Sequence, residues 1–276
     1  MARSQNMSQK IAFAGAGNMG GAILRGLLNS GYNPKDILFY EPFEKTAKPV
    51  EELGAVRYAD FGKMANDANV VFLCVKPQVF KAVAGEWSAS AKGKVTSKPE
   101  IISIMAGVSR AKIIDALDFE HGDVVRVMPN LPLTVGKGAI AIATDGVSAE
   151  SLETAKTLLS TVGVTVTVGE NLIDAVTGLS GSAPAYVFEF IEGLVRGGVK
   201  MGLTRPVAMQ LTLATIEGSV ELLKKSGKDT GELSAMVSSP AGTTIAGVQV
   251  LEDAGFRGTL MHTVEAATLR SQALGK

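Results

Sequence analysis

The sequence is poor in residues that mark several classes of protein. It contains one cysteine and two histidines among 276 residues, and aromatic residues make up 5%. The lone Cys74 excludes an internal disulfide framework and indicates a reducing compartment. So few thiol and imidazole groups argue against a dedicated zinc site, and no metal is predicted. The scarcity of aromatic side chains disfavours the stacking platforms on which single-stranded nucleic acids bind.

An excess of charge and long apolar runs are also missing. Lys plus Arg and Asp plus Glu number 27 each, so no net field would draw the chain to nucleic acid or to an acidic membrane surface. The most apolar stretch, 183–199, is interrupted by charged residues, so it does not read as a membrane span. Residues 1–10 are polar and lack an apolar signal segment. We therefore expect a cytoplasmic protein with neither a nucleic-acid nor a membrane partner.

The first half of the chain alternates short apolar runs with helical patterns. Several of these runs are uninterrupted, as in strands that are buried on both faces. Strands separated by helices predict an α/β fold with a parallel, doubly wound sheet. Strands are predicted at 10–14, 37–40, 70–75, 101–104, 124–128, 139–143 and 164–168, and helices at 18–28, 45–53 and 148–161.

The second half contains helical patterns only. Helices are predicted at 172–179, 184–201, 206–226, 233–237, 244–254 and 256–273. This change places a domain boundary near residue 168, between a sheet domain at 1–168 and an all-α domain at 169–276. The predicted helices are apolar on more than one face, and about a hundred residues cannot easily bury that much surface alone. We expect a homodimer of intertwined helices; the alternative is a tightly packed monomeric helical cap.

A glycine-rich turn follows the first predicted strand and opens the first helix. Gly15 permits the tight turn, Gly17 lets the backbone approach a pyrophosphate, and Gly20 lets the helix pack against the strand. Asn18 and Met19 begin the helix, whose N-terminal amides and positive potential suit phosphate. The alternative is a plain glycine-rich turn, but the required strand and helix flank this one. The motif therefore predicts a Rossmann-type dinucleotide site.

The residue expected to select the cofactor is Glu41. It ends the second strand about 20 residues beyond the glycine motif, where a carboxylate can accept hydrogen bonds from the ribose hydroxyls. Such a carboxylate favours NADH and would repel a 2′-phosphate. Lys45 and Lys48 follow closely and could pair with that phosphate, or could lie on a solvated helix face. NADH and NADPH both remain open.

Four segments indicate a particular family of dinucleotide-dependent enzymes. They are Val-Lys-Pro-Gln at 75–78, the small-residue segment at 178–186, Gly-Val-Lys-Met-Gly-Leu at 198–203 and the loop at 237–244. Together they closely resemble pyrroline-5-carboxylate reductase over nearly the whole chain. The resemblance implies NAD(P)H-dependent reduction of an imino acid, 1-pyrroline-5-carboxylate, to L-proline, the last step of proline biosynthesis. It also implies a C-terminal dimerisation domain, active sites shared between two subunits, and five dimers in a ring.

The loop at 237–244 is the candidate substrate site. It is rich in small residues from Val237 onward and leads into a helix, whose exposed amides would suit a carboxylate. Ser239 and the amides of Gly242 and Thr243 are the candidates for holding that carboxylate. The resemblance favours this interpretation over the alternative that the hydroxyls merely cap the helix. Thr244 offers a hydroxyl to the ring nitrogen, as hydrogen-bond partner and proton relay.

Further cofactor contacts are expected where strands end. Val75 and Pro77 would present backbone to the nicotinamide, and Lys76 between them would orient cofactor or substrate, unless it is an ordinary strand-end charge. The resemblance adds contacts at Met105, Ala106 and Asn130. Asn130 could hydrogen-bond the carboxamide of the nicotinamide.

Two alanines depart from the family pattern, which commonly has glycine at both positions. Ala183 lies just before a predicted helix, where an extra methyl is harmless. Ala241 lies in the substrate loop, where a positive φ would penalise it.

Two other functions are compatible with parts of this pattern. A β-hydroxyacid dehydrogenase shares the two-domain plan and uses a helix lysine, for which Lys200 is the candidate. It would expect that lysine just after the domain junction, where this chain has Ser182 and three small residues. A non-catalytic dinucleotide sensor would be expected to have lost Thr244 or the small residues before it, and this chain keeps them.

Overall fold

The computed structural model describes residues 9–90, 99–119 and 123–275, so most of the polar N-terminal stretch lies outside it. The strands within these ranges are β1 (Ile11–Ala14), β2 (Ile37–Tyr40), β3 (Val56–Tyr58), β4 (Val70–Leu73), β5 (Glu100–Ser103), β6 (Val124–Met128), β7 (Gly138–Ala143) and β8 (Gly163–Val168). They form one sheet in the order β3-β2-β1-β4-β5-β6-β7-β8. The predicted Rossmann-type sheet is thereby confirmed.

Helices connect most of the strands and predominate after β8. They are α1 (Asn18–Asn29), α2 (Glu44–Glu51), α3 (Phe61–Asn66), α4 (Phe80–Ser90), α5 (Arg110–Leu117), α6 (Ala149–Leu159), α7 (Ile173–Val176), α8 (Ala183–Lys200), α9 (Arg205–Ser226), α10 (Thr230–Met236), α11 (Thr243–Asp253) and α12 (Phe256–Gly275). A π-helical turn at Thr177–Gly181 follows α7. None of the helices in the described ranges has the length and apolar character needed to cross a membrane.

One pair of strands departs from the predicted parallel sheet. The pairs β1–β2, β2–β3, β1–β4, β4–β5, β5–β6 and β7–β8 are parallel, whereas β6 and β7 are antiparallel. Only residues 129–137 join β6 to β7. A parallel crossover needs about a dozen residues or more, so this short connection turns the chain back on itself. The prediction of an all-parallel sheet was wrong at this point.

Both faces of the sheet are covered, which makes it doubly wound. Along β1, Ile11 and Phe13 pack into one core with α1 and α6, and Ala12 and Ala14 pack into the other with α3 and α4. On the first face the rings of Phe13 and Phe72 stack with their centroids 4.9 Å apart. Burial on both faces explains why these strands are continuous apolar runs.

Several elements were not predicted from the sequence. Strand β3 is only three residues long, and helix α3 is only six. Helices α4 and α5 were also missed. Strand β3 and helices α3 and α5, of three, six and eight residues, carry too few turns for an apolar period to stand out. Strand β3 extends the sheet at its edge and the helices pack on one of its faces, so their absence from the prediction left the fold class unchanged.

The chain divides by its contacts into two units at a place different from the predicted boundary. The first unit runs to Ser182 and takes in the chain from Ala267 onward, and the second comprises Ala183–Ala266. Residues 169–182 therefore group with the sheet, although they are helical. They belong there because Ile173 is buried in a small core with Ala141 and Ala143 of β7.

The second unit leaves large apolar side chains exposed when a single chain is considered. Phe188 is 59% exposed, Val250 66% and Met261 72%. Helices α8 and α9 approach closely at Gly198, where a Cβ atom would lie 3.1 Å from the Cβ of Ala208. Val195, on α8, is fully buried. This apolar surface is typical of a helical unit that is completed by a partner.

A titratable group away from the carboxyl ends of the strands makes stability depend on pH. Burial raises the pKa of the Glu100 carboxyl, at the start of β5, to about 7. One of its oxygens is buried with no hydrogen-bond partner among the described residues. Because the folded state holds this proton more tightly than the unfolded chain, its contribution to stability is complete below the ordinary pKa of 4.5 and is lost as pH rises towards 7.

Replacing Glu100 with glutamine should remove this pH dependence. Relative to the wild type, the Glu100→Gln variant should gain free energy of unfolding between pH 5 and pH 8, because glutamine never ionises. Urea unfolding at a series of pH values measures the difference. Glu153→Gln is the control, since that side chain is 74% exposed. A stability difference between Glu100→Gln and the wild type that does not vary with pH would contradict the assignment.

Candidate active site

The glycine-rich turn between β1 and α1 has an open cradle. Gly15 adopts a φ of +93°, and its amide donates to the carbonyl of Tyr40 over 2.9 Å. Gly17 caps α1 with no side-chain hydrogen bond to the first turn, and a Cβ atom there would have no atom within 4 Å. Amides at a helix start with no capping side chain, beside open space, fit a pyrophosphate. The helix begins at Asn18 and Met19, as predicted.

Gly20 serves packing rather than binding. A Cβ atom at this position would lie 2.3 Å from the carbonyl oxygen of Gly15 and 2.8 Å from the Cβ of Cys74. Helix α1 therefore reaches its close approach to β1 and β4 only with glycine here. Burial raises the pKa of the Cys74 thiol, which keeps it neutral beside this helix.

The sheet brings the other predicted cofactor residues to the same edge. Parallel strands β2, β1, β4, β5 and β6 are neighbours, so the residues that follow them lie side by side. We call this the carboxyl edge; it comprises residues 15–20, 41, 75–77, 105–106 and 129–130. Lys76 is exposed and Pro77 begins a short 3₁₀ turn. Met105 is 2% exposed and its side chain lies in the core, so it offers only its backbone.

The carboxylate of Glu41 binds two backbone amides, which the sequence did not predict. It is 7% exposed, and its two carboxylate oxygens accept hydrogen bonds from the amides of Ala16 and Phe43, each over 3.1 Å. It therefore ties the glycine-rich turn to the end of β2. Each carboxylate oxygen has a second acceptor position. Binding of ribose hydroxyls by Glu41 stays a prediction.

Asn130 is also held by its surroundings. Its side-chain amide donates to the carbonyl of Ser180 over 3.1 Å, and its Oδ1 accepts from the amide of Ala139 over 2.8 Å. These bonds join the carboxyl edge to the π-helical turn at Thr177–Gly181. One amide hydrogen is left for the predicted bond to the nicotinamide carboxamide.

That π-helical turn is packed closely against the sheet. A Cβ atom on Gly181 would lie 2.5 Å from the methyl carbon of Met128. The amide of Ser182 donates to the carbonyl of Thr177 over 2.8 Å, and α8 begins directly afterwards at Ala183. Turns of this kind are frequent at functional sites.

The loop at 237–244, in the second unit, ends in a helix start that no side chain closes. Helix α11 is capped by Gly242 without a side-chain hydrogen bond, and the hydroxyl of Ser238 donates to the carbonyl of Ser234 instead. Among the described residues no hydroxyl therefore caps α11, contrary to the capping alternative. A Cβ atom on Gly242 would lie 2.2 Å from Oγ of Ser239, so a larger residue here would displace that hydroxyl.

One predicted donor of this loop is already engaged. The amide of Gly242 donates to the carbonyl of Ser239 over 3.0 Å, which corrects its assignment as a free carboxylate donor. The first-turn amides of Thr243 and Thr244 have no side-chain acceptor among the described residues. Val237 is 62% exposed and Thr244 is partly buried.

Ala241 has the strained backbone that its departure from glycine implied. Its φ is 57°, in the left-handed region that costs an alanine about 1–2 kcal/mol. Ala183 shows no such strain as the first residue of α8. The loop thus holds strain at the point where the family commonly has glycine.

Replacing Ala241 with glycine should stabilise the protein. The Ala241→Gly variant should gain up to about 1 kcal/mol in free energy of unfolding, because the relieved strain exceeds the freedom that glycine adds to the unfolded chain. Ala246→Gly, inside α11, should instead lose about 1 kcal/mol. Urea unfolding at one protein concentration measures both. Equal losses in the two variants would contradict the strained conformation.

Arg57 is a candidate site residue that the sequence analysis missed. It lies on β3, which was not predicted, and it lines a cavity of about 500 Å³ with residues 40–42, 58–59 and Glu51. This cavity adjoins the end of β2, where a dinucleotide's adenosine ribose is expected. A charged residue within the short run Val56–Tyr58 was the only signal available.

The described residues were expected to hold no metal ion, and their possible metal ligands are scattered. Within residues 9–90, 99–119 and 123–275, no group of three or more His, Cys, Asp or Glu side chains could hold a metal ion.

Two family models match most of the chain. The model described as pyrroline-5-carboxylate reductase dimerisation matches residues 170–274. The model described as NADP oxidoreductase, coenzyme F420-dependent, matches residues 10–107. The first covers the helical half, and the second covers the glycine-rich turn and the strands that follow it.

Individual relatives extend over nearly the whole chain. The pyrroline-5-carboxylate reductase of Synechocystis is 42% identical over 273 residues, 98% of this chain and 100% of that protein. The solved structure of a pyrroline-5-carboxylate reductase from Coxiella burnetii is 31% identical, with a TM-score of 0.89 over 97% of this chain and 99% of that one. The Plasmodium falciparum enzyme, solved with NADP bound, is 30% identical with a TM-score of 0.85 over 98% and 99%.

Proposed function

The chain belongs to the pyrroline-5-carboxylate reductase family, and we propose that it reduces 1-pyrroline-5-carboxylate to L-proline with NAD(P)H, the last step of proline biosynthesis. The structural observation that carries the proposal is the start of α11, where no side chain caps the amides of Thr243 and Thr244. A helix start with open amides beside a hydroxyl suits a small ring that bears both a carboxylate and a nitrogen.

The carboxyl edge would hold the cofactor. The open start of α1, from Gly17 to Met19, fits the pyrophosphate because a Cβ atom at Gly17 would meet nothing within 4 Å. Glu41 would bind the adenosine ribose. The backbone of residues 75–77 and 105–106, with the amide of Asn130, would orient the nicotinamide. When bound, the nicotinamide supplies the hydride.

The loop at 237–244 would hold the substrate. Ser239 and the amides of Thr243 and Thr244 would bind the carboxylate, with the backbone of Val237 beside the ring. The exposed Lys76 would orient cofactor or substrate through its charge. Lys76 is assigned no proton transfer.

Thr244 would manage the proton at the ring nitrogen. The hydride adds to the imine carbon and the C=N double bond becomes single, so its electron pair moves to nitrogen. A neutral imine nitrogen takes up two protons in all, and an imine already protonated in solution takes up one more, so the product is a secondary ammonium. A substrate protonated in solution needs no strong acid from the protein, which suits a loop without histidine. The hydroxyl of Thr244 would hydrogen-bond this nitrogen and relay a proton to it.

The dimerisation model and the exposed apolar helices support an oligomer. We propose further that two subunits share each active site, the loop of one serving the cofactor of its partner, and that five dimers form a ring. Light scattering on the protein as it elutes from a size-exclusion column would measure the mass of the assembly. That mass should be ten times that of one 28.7 kDa chain.

Mixed dimers test whether the sites are shared. Co-expression of Gly17→Ala, defective in cofactor binding, with Thr244→Ala, defective in the loop, should restore activity. A shared site in a mixed dimer can take its intact cofactor turn from one subunit and its intact loop from the other. Random pairing should then give about a quarter of wild-type activity in a two-fold dimer. Activity no higher than that of the separate variants would place each site within one subunit.

We also propose the cytoplasm as the location, because a single free thiol, Cys74, is typical of a reducing compartment. The β-hydroxyacid dehydrogenase alternative is not favoured, since Ser182 and the start of α8 stand where its lysine-bearing helix is expected. The sensor alternative is weakened by the intact loop with its free helix start.

Steady-state kinetics test the proposed reaction. The purified protein should oxidise NADH or NADPH in the presence of 1-pyrroline-5-carboxylate and form proline in equal amount. The same preparation should show no oxidation of a small 3-hydroxy acid with NAD⁺ or NADP⁺. Binding of the cofactor without turnover of the imine would overturn the proposal in favour of a sensor.

A further inference from the structure

The cavity at the ends of β2 and β3 has a charge arrangement that distinguishes the two cofactors. We propose that Arg57 and the carboxylates around it make this protein selective for NADH over NADPH. The inference rests on the proposed function, in that it requires a dinucleotide at the carboxyl edge. It adds the identity of that dinucleotide and the residues that decide it.

The guanidinium of Arg57 is already occupied. Its Nη1 lies 2.6 Å from Oε2 of Glu44 and 3.6 Å from Oε1 of Glu51, both on α2. Its Nη2 donates to the backbone carbonyl of Glu41 over 2.9 Å. Only 25% of the Arg57 side chain is exposed. A cation held in this way is part of the cavity wall and is not free to meet a phosphate.

The wall as a whole carries more negative than positive charge. Glu41 and Glu51 line the cavity with the single guanidinium of Arg57, and Glu44, which pairs with Arg57 from outside the lining, adds a third carboxylate beside it. Lys45, the residue after Glu44 on α2, is exposed and does not line the cavity. A 2′-phosphate would add about two negative charges to a site that is already negative, whereas a 2′-hydroxyl can donate a hydrogen bond to a carboxylate.

The expected size of this preference follows from Coulomb's law. A cofactor whose phosphate lies a few ångströms from a carboxylate such as that of Glu41, which has no cation partner among the described residues, should bind about tenfold or more weakly in a partly exposed site than one without that phosphate. Because the cavity is open to solvent, added salt should weaken the discrimination.

Direct binding measurements test the inference independently of turnover. Titration of the wild type with NADH and with NADPH, followed by calorimetry, should show NADH binding about tenfold or more tightly. The ratio of the affinity for NADH to that for NADPH should fall as the KCl concentration is raised. Equal affinities, or tighter binding of NADPH, would overturn the inference.

Substitutions identify the residues that cause the preference for NADH. The double substitution Glu44→Gln with Glu51→Gln releases Arg57 and removes two negative charges, so the ratio of affinities should move about tenfold towards NADPH. Adding Arg57→Met to that background should remove the part of the gain that comes from the released guanidinium. Glu52→Gln, an adjacent exposed carboxylate at the end of α2 that does not line the cavity, is the matched control and should leave the ratio unchanged.

The outcomes separate this inference from the proposed function. Selective binding of NADH without reduction of the imine would refute the reductase and leave the selectivity standing. Proline formation at equal rates and affinities with both cofactors would refute the selectivity and leave the reductase standing. An unchanged ratio in the double variant would refute the role of Arg57 and its two glutamates.

Discussion

Alanine at Gly20 should destabilise the protein, whereas alanine at Gly17 should leave it folded and unable to bind its cofactor. A methyl on Gly20 would lie 2.3 Å from the carbonyl oxygen of Gly15, so α1 would have to move away from β1. Overpacking of this kind costs about 1–3 kcal/mol or more. A methyl on Gly17 meets nothing within 4 Å and collides only with a bound pyrophosphate.

Two measurements on each variant distinguish these effects. Urea unfolding should give a lower midpoint for Gly20→Ala and an unchanged midpoint for Gly17→Ala. Calorimetric titration with NADH should show strongly reduced affinity for Gly17→Ala. Wild-type affinity in Gly17→Ala would remove the pyrophosphate from the start of α1, and an unchanged midpoint in Gly20→Ala would contradict the close packing of α1.

Removal of the Thr244 hydroxyl should lower kcat by roughly ten- to ten-thousand-fold if this group relays the proton, which is the range of a positioned acid or less. The Thr244→Ala variant keeps its backbone amide at the start of α11, so the substrate carboxylate should still bind and KM should change less than kcat. Steady-state kinetics with saturating cofactor measure both constants.

Two further variants control for the loss of a hydroxyl. Thr244→Ser keeps the hydroxyl and should retain most of the activity. Thr230→Ala removes an exposed hydroxyl at the start of α10, outside the loop, and should behave as the wild type. If Thr244→Ala keeps both kcat and KM, Thr244 has no part in the reaction.

The elements that sequence analysis located well are those set by local patterns. Strands β2 (Ile37–Tyr40) and β6 (Val124–Met128) have the predicted bounds, because an unbroken apolar run between turn residues reads as a buried strand. Helices α8 and α9 begin within a residue of prediction, since proline marks a first helical turn. The glycine-rich turn was also read correctly, because its spacing is itself a backbone requirement.

What the sequence could not show are the contacts between distant residues. Glu41 was assigned to ribose alone because no local signal shows that the amides of Ala16 and Phe43 bind its oxygens. The engagement of Asn130 with Ser180 and the pairing of Arg57 with two glutamates were equally hidden. Each of these bonds depends on how strands and helices are brought together.

By itself, the sequence determined the sheet class, the helical second half, the cofactor turn and, through its resemblance, the family. These follow from apolar periods, from glycine and proline positions and from short motifs, all of which act over a few residues. Only the tertiary structure decided the reversed strand β7, the engaged carboxylate of Glu41 and the charged wall around Arg57. It did so because strand direction, burial and ion pairing depend on which distant segments become neighbours.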